Sequence, residues 1–363
     1  KGLADKINQM GLLFGLWFEP EMVNEDSDLY RAHPEYAVKV PGKEPTLGRN
    51  QMVLDLCQKE VQDYIIQQVS SVLDESNITY VKWDMNRHMS EIFSKAVENQ
   101  GEFYHRYILG LYRVLREIFY QRPHILLESC SSGGNRFDLG MLCFSPQIWA
   151  SDNTDPIERL KIQGGLSYLY PLSTMGAHVS NSPHQQTLRE TTLATRFNVA
   201  AFGCLGYELD LKNLTKVELK EVKGQIDFYK TYRQTLQFGK FSRIEQGKDN
   251  KLQWQVTERA GEQAITGFFQ TISNAAESFD YLKVEGLDVN SQYHIFSKPQ
   301  SIYIKRFGGL IKHLLPIELK PDGFILRTAN KVYCLQEGIE QYEASGKLLE
   351  GGVLLNNQYM GTG

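Results

Sequence analysis

Tyr80-Val81-Lys82-Trp83-Asp84-Met85-Asn86-Arg87 is the segment on which the reading of this chain turns. The β-branched and aromatic run Ile78–Trp83 predicts a strand. A side-chain period of two then sets Tyr80, Lys82 and Asp84 on one face and Val81 and Trp83 on the other. With Val81 and Trp83 packed against outer helices, Lys82 and Asp84 point into the mouth of a barrel. A carboxylate beside an ammonium stays ionised at neutral pH, which is the state a nucleophile needs. The same two residues also read as a structural ion pair at a strand end, and residue type alone does not separate the two.

Working outward, short apolar runs alternate with helix-period segments as far as about residue 232. Leu12–Phe18 reads as a buried strand. Residues 52–56, 125–127 and 147–149 read as further strands, and residues 59–73, 103–120, 156–170, 187–202 and 215–232 as helices. Thr215 with Glu218 makes a capping-box signature. Strands alternating with helices imply βα units and a parallel sheet, either open and doubly wound or closed as a barrel. No Gly-rich dinucleotide fingerprint follows a strand. Polar residues sit instead just past several strand ends, at Glu19, Asp84, Glu128 and Asp152, the distribution of a barrel with its site on the C-terminal face. The fold class is therefore α/β, a (β/α) barrel over residues 1–235. Beyond Phe238-Gly239 helical periodicity gives way to short runs at 252–256, 264–269, 293–296 and 323–327. Residues 236–363 are expected to form an antiparallel β-sandwich.

The second carboxylate segment is Trp149-Ala-Ser-Asp-Asn-Thr-Asp-Pro-Ile-Glu158. Pro156 suits the first helical position, which makes Asp155 the N-cap and sets Glu158 at the third position of a capping box. Asp155 thus has a structural task and Asp152 has none, so Asp152 is the stronger catalytic candidate. Two carboxylates at different strand ends are the equipment of glycoside hydrolysis. Glu128-Ser-Cys-Ser-Ser-Gly-Gly134 reads as a loop where backbone approaches a ligand, or as a setting for a Cys130 nucleophile. Trp17 and Trp149 end strands, where a tryptophan serves as core or as sugar platform.

Composition narrows the classes. The formal charge is -4, with 43 acidic against 39 basic residues and no long basic run, which argues against a nucleic-acid partner. Five scattered cysteines without a CxxC pair, and eight histidines without an HExxH, support neither a disulfide framework nor a metal site. No cofactor is implied. No apolar run approaches the ~18 residues that span a bilayer.

Taken in order, these segments resemble the bacterial α-galactosidases of glycoside hydrolase family 36. The resemblance is carried by Gly15-Leu-Trp-Phe-Glu-Pro-Glu-Met-Val23, His33-Pro-Glu-Tyr36, Leu54-Asp-Leu56, Val81–Arg87, Glu128–Gly134, Arg136-Phe-Asp138 and Pro146-Gln-Ile-Trp149. It continues through Ser151–Leu160, Met175-Gly-Ala-His-Val179 and Gly206-Tyr-Glu-Leu-Asp210, covering residues 11 to 235. It implies retaining hydrolysis of terminal α-galactosyl residues from melibiose- and raffinose-type α-galactosides by double displacement. Asp84 would be the nucleophile and Asp152 the general acid/base. Arg49 and Lys82 would bind galactose hydroxyls, Trp17 and Trp149 would shape the pocket, and Cys130 and Gly133 would line it. Cys-Ser-Ser-Gly-Gly favours a plain 2-hydroxyl over an N-acetyl group. A galactosyl-transferring synthase on the same scaffold, or a non-catalytic sugar-binding fragment, are the alternatives. The resemblance further implies a barrel that lacks its first two strands, hence a fragment of a longer enzyme, with a cytoplasmic location and a homo-oligomer, tetrameric in relatives, as expectations.

Overall fold

The computed structural model describes residues 1–248, 250–272, 280–299, 301–306, 311–313, 316–336 and 339–355. Contacts divide the chain into two units, Lys1–Asp152 and Asn153–Gly363.

The first unit begins with α1 (Gly2–Gln9), β1 (Gly15–Phe18), β2 (Met22–Asn24), α2 (Asp28–Ala32), β3 (Gln51–Val53) and α3 (Lys59–Glu75). It continues with β4 (Tyr80–Trp83), α4 (Phe103–Phe119), β5 (Leu126–Ser129), the single-turn α5 (Leu139–Leu142) and β6 (Gln147–Trp149). Strands β1, β4, β5 and β6 pair in parallel in that order, so Trp17, Lys82, Glu128 and Gln147 lie side by side in one row. The facing α3 and α4 bury Val61, Ile65, Val69 and Leu73 on one and Phe103, Tyr107, Leu111, Val114 and Ile118 on the other. Each large apolar side chain so buried contributes about 1.5–3 kcal/mol. The helices also come close to the chain beside them: a Cβ on Gly110 would lie 2.0 Å from the Leu56 carbonyl oxygen. Val81 and Trp83 are fully buried, and Trp83 sets its ring edge-on to Phe119 of α4 at 6.3 Å. The two-faced reading of this strand holds.

The second unit continues the alternation through α6 (Pro156–Leu166), β7 (Met175–Ser180), α7 (Leu193–Ala200), β8 (Cys204–Glu208) and α8 (Lys216–Phe238). Strands β7 and β8 are parallel, so the described residues hold six parallel strands, four in the first unit and two in the second. Thr215 and Glu218 form both bonds of the expected capping box. Beyond α8 the pairing is antiparallel: β9 (Lys240–Lys248), β10 (Lys251–Thr257) and β11 (Ala264–Gln270) make a three-stranded sheet. Further on lie β12 (Tyr281–Leu282), β13 (Gln292–Phe296), β14 (Ser301–Ile302), α9 (Phe324–Asn330), β15 (Leu335–Gln336), β16 (Gln341–Ser345), α10 (Gly346–Gly351) and β17 (Val353–Leu354). These strands pair as β12–β17, β13–β16 and β14–β15. Trp254 is fully buried among Phe202, Phe241 and Phe269, each within 6 Å of its ring centroid.

Five local expectations are corrected. The Leu12–Phe18 strand is short and half-exposed, because among the described residues β1 has only β4 beside it in the sheet. The 52–56 strand stands outside the parallel sheet, its core β3 pairing antiparallel with β2. The 187–202 helix starts at Leu193, where the Thr192 hydroxyl caps the Thr195 N–H. The 156–170 helix ends at Leu166. Residues 323–327 open α9 rather than a strand: four consecutive non-polar residues carry no period that separates helix from strand.

Candidate active site

Asp84 lies one residue past β4 and is 5% exposed. Its Oδ1 accepts the Met85 N–H at 2.9 Å, and its Oδ2 accepts from Asn86 Nδ2 at 2.7 Å and Trp17 Nε1 at 3.2 Å. The ion pair expected between Lys82 and Asp84 goes elsewhere. Lys82 Nζ stands 3.1 Å from Glu128 Oε1, its in-register neighbour on β5. Burial works against the Lys82 ammonium, but the charge of Glu128 and its hydrogen bond favour the charged form, and the pKa is raised. Glu128 also accepts from the Tyr80 hydroxyl and, at 2.9 Å, from Gln147 Nε2.

Asn86 uses both ends of its amide. Nδ2 donates to Asp84 and, at 2.6 Å, to Glu19 Oε1. Oδ1 accepts from the backbone N–H and hydroxyl of Ser132 at 3.2 and 3.3 Å. Glu19 in turn meets Arg49 Nη1 at 3.1 Å. Arg49 and Asn50 both occupy the left-handed region, φ 54° and 60°, in a tight turn between Gly48 and Gln51.

The Ser131–Gly134 loop follows β5 and leans on the chain that carries Asp152. Gly133 has φ 86°, and a Cβ there would sit 3.1 Å from Ser151 Cα and 3.3 Å from the Asp152 nitrogen. A Cβ on Gly134 would sit 2.6 Å from the Ala150 carbonyl oxygen. The two glycines are therefore needed for close packing on the segment of the second carboxylate. Asp152 itself is exposed, and its Oδ1 accepts Trp149 Nε1 at 2.9 Å. The Trp149 ring is buried, with the Lys82 ammonium 4.5 Å from its centroid.

Asp155, three residues on, behaves as a cap. Its carboxylate accepts from the Ile157 and Glu158 N–H groups and pairs with Arg189 at 2.5 Å. Burial raises its pKa, but the Thr187 hydroxyl, Arg189 and the Ile157 N–H outweigh that and hold it below the usual range. The expected return bond from Glu158 is replaced, since the Asp155 N–H donates to Asn153 Oδ1.

Cys130 is 2% exposed, and burial pushes its thiol pKa up to about 12, with the charge of Asp84 adding to the rise. A buried thiol held neutral at physiological pH is a poor nucleophile. At pH 8 iodoacetamide should modify the exposed Cys143 in the folded protein and spare Cys130 until denaturant is added. Peptide mass spectrometry reads the order, and alkylation of Cys130 as fast as Cys143 would contradict it.

All eight site residues singled out from the sequence belong to the first unit. Trp17, Arg49 and Asp84 are joined through Glu19 and Asn86, and Lys82, Trp149 and Asp152 form a second chain. Asn86, which the sequence reading did not single out, links the nucleophile candidate to the glycine loop. Its signal was its place two residues past Asp84, within the same segment.

Residues 1–239 match the Melibiase family, and residues 251–360 match the glycosyl hydrolase family 36 C-terminal domain. The chain belongs to glycosyl hydrolase family 36. Alpha-galactosidase AgaA of Geobacillus stearothermophilus is 50% identical over 297 residues, which are 81% of this chain and 41% of that protein. Alpha-galactosidase Mel36A of Lactobacillus acidophilus is 45% identical over 292 residues, 80% of this chain and 40% of that protein. The chain thus spans about two fifths of the length of the curated relatives it matches. The crystal structure of AgaA superposes with a TM-score of 0.83 at 42% identity, covering 99% of this chain and 45% of that one. A variant of AgaA solved in complex with raffinose gives the same score, identity and coverage. The family's fold accounts for both parts of the chain: parallel strands of a (β/α) barrel, then a C-terminal domain of antiparallel sheets.

Proposed function

We propose that this family 36 protein is a retaining α-galactosidase acting on raffinose- and melibiose-type α-galactosides. The observation that carries the reading is the pair of carboxylates past β4 and β6. Asp84 is buried among donors and Asp152 is exposed, and the two are linked through Asn86 and the Ser131–Gly134 loop. In the first step an Asp84 oxygen forms a bond to the anomeric carbon as the glycosidic bond breaks. The departing oxygen takes a proton from Asp152. In the second step the Asp152 carboxylate takes a proton from water, whose oxygen bonds to the anomeric carbon as the Asp84 ester bond breaks. Two inversions leave the α-configuration intact. Arg49 and Lys82 bind galactose hydroxyls, Trp17 and Trp149 shape the pocket, and Cys130 and Gly133 line it. The names of the relatives and the raffinose bound to the AgaA variant support this substrate class.

The barrel portion is assigned to residues 1–235 and the C-terminal β domain to 236–363, supported by α8 ending at Phe238 and by the separate family matches. None of the described helices is long and apolar enough to cross a membrane. A cytoplasmic location and a homo-oligomeric assembly complete the proposal, open to fractionation and light scattering.

The deciding experiment is proton NMR of raffinose turnover by the full-length gene product. α-Galactose should appear first and mutarotate afterwards. β-Galactose appearing first would mean inversion and defeat the double displacement, and no release of galactose would defeat the hydrolase reading.

A further inference from the structure

We propose that Trp149 is a positioning residue for Asp152: its indole N–H, aimed by the Lys82 ammonium on its ring, holds Oδ1 and leaves Oδ2 to exchange the catalytic proton. The inference rests on the reading of Asp152 as the general acid/base. The ion pair expected at Asp84 is found elsewhere. Lys82 is drawn to Glu128 at 3.1 Å, and Glu128 is itself held by Tyr80 and by Gln147 Nε2 at 2.9 Å. Neighbouring strands β4, β5 and β6 all contribute to this cluster, so the ammonium has little freedom to move. It stands 4.5 Å from the centroid of the Trp149 ring, a cation over an aromatic face. The ring is 3% exposed, and its Nε1 reaches Asp152 Oδ1 at 2.9 Å.

Asp152 is in contrast exposed, on a loop beyond the end of β6. A free carboxylate there would sample many rotamers, whereas proton transfer needs it within hydrogen-bond reach of the glycosidic oxygen. The rigid indole supplies that restraint. It also makes the two carboxylate oxygens unequal. In the protonated acid the carbonyl oxygen is the better acceptor, so the indole keeps Oδ1 as the carbonyl and the proton resides on Oδ2. Trp149 thereby acts through Asp152 on the leaving group.

Leaving-group dependence separates this role from a structural one. Departure of a nitrophenolate needs little proton donation, whereas departure of a sugar alkoxide needs it fully. In the full-length gene product, Trp149→Phe should raise the ratio of kcat/KM for a nitrophenyl α-galactoside over that for raffinose by about 10²-fold, the lower end of what a general acid contributes. In an Asp152→Ala background the same substitution should move that ratio less than about twofold, because effects acting through one group do not add. If Trp149→Phe does not fold, benzothienyl-alanine at position 149 keeps the bicyclic shape without the N–H and should give the same ratio change. Equal losses on both substrates, in either variant, would overturn the proposal. A ratio that Asp152→Ala itself leaves unmoved would overturn the acid/base reading beneath it.

Discussion

Asp84→Ala should lower kcat on raffinose and on aryl α-galactosides alike by about 10⁵-fold or more, the scale on which removal of a covalent nucleophile is felt. Unlike a general acid, a nucleophile is needed whatever the leaving group, so an activated substrate offers no escape. The surroundings of Asp84 make the test sharper. Trp17 Nε1, Asn86 Nδ2 and the Met85 N–H all point at its carboxylate. In the alanine variant these donors face a small anion-sized space. Azide entering it should attack the anomeric carbon from the same side and restore turnover of an aryl substrate, giving β-galactosyl azide. Kinetics with and without azide, and NMR of the product, check both parts. Residual activity above one hundredth of wild type, confirmed by mass spectrometry to come from the variant, would remove Asp84 from the role.

The second large effect lies beneath the site. Glu21 is fully buried and accepts hydrogen bonds on both carboxylate oxygens. Its Oε1 accepts from Trp83 Nε1 at 2.7 Å and Arg136 Nη2 at 2.9 Å, and its Oε2 from Tyr107 at 2.8 Å and Arg136 Nη1 at 3.1 Å. Burial works against the Arg136 charge, but Glu21 more than restores it and raises the pKa. Removing the carboxylate leaves a guanidinium, a phenol and an indole N–H buried without it. Glu21→Ala should therefore destabilise the fold by about 3–5 kcal/mol, the cost of breaking a buried pair. Replacing Glu21 and Arg136 together by methionine should recover most of that loss, since no unpaired charge remains. Urea denaturation of wild type, single and double variants provides the comparison. A single-variant loss under about 1 kcal/mol, typical of exposed pairs, would show that the network is not what holds Trp83. Trp83 immediately precedes Asp84 and Arg136 follows the glycine loop, so the same variants should also disturb the site.

Legibility differed from residue to residue for physical reasons. Strand β4 was readable because its alternation is strict and one face is wholly apolar. Val81 and Trp83 are fully buried while Tyr80 and Lys82 are not. Asp155 was readable because capping is a local interaction spanning three residues. The partner of Lys82 was not, since Asp84 is its neighbour in sequence but Glu128 is its neighbour in register, 46 residues away. Asn86 and Glu21 escaped for the same reason, their partners lying up to 115 residues distant. Residues 323–327 failed in the opposite sense, offering too short an apolar run to fix any period.

By itself, the sequence determined the alternation of strands and helices through the barrel portion, the caps at Asp155 and Thr215, the family, and the segments that hold Asp84 and Asp152, because these depend on contacts within a few residues or on ordered motifs. Only the tertiary structure decided which charges meet. It sent Lys82 to Glu128 and onto Trp149, set Trp17 and Asn86 on Asp84, and put Gly133 against the backbone of Asp152. The reason is that parallel strands joined through helices bring together residues far apart in the chain, and a charged side chain pairs with whichever partner the register puts beside it.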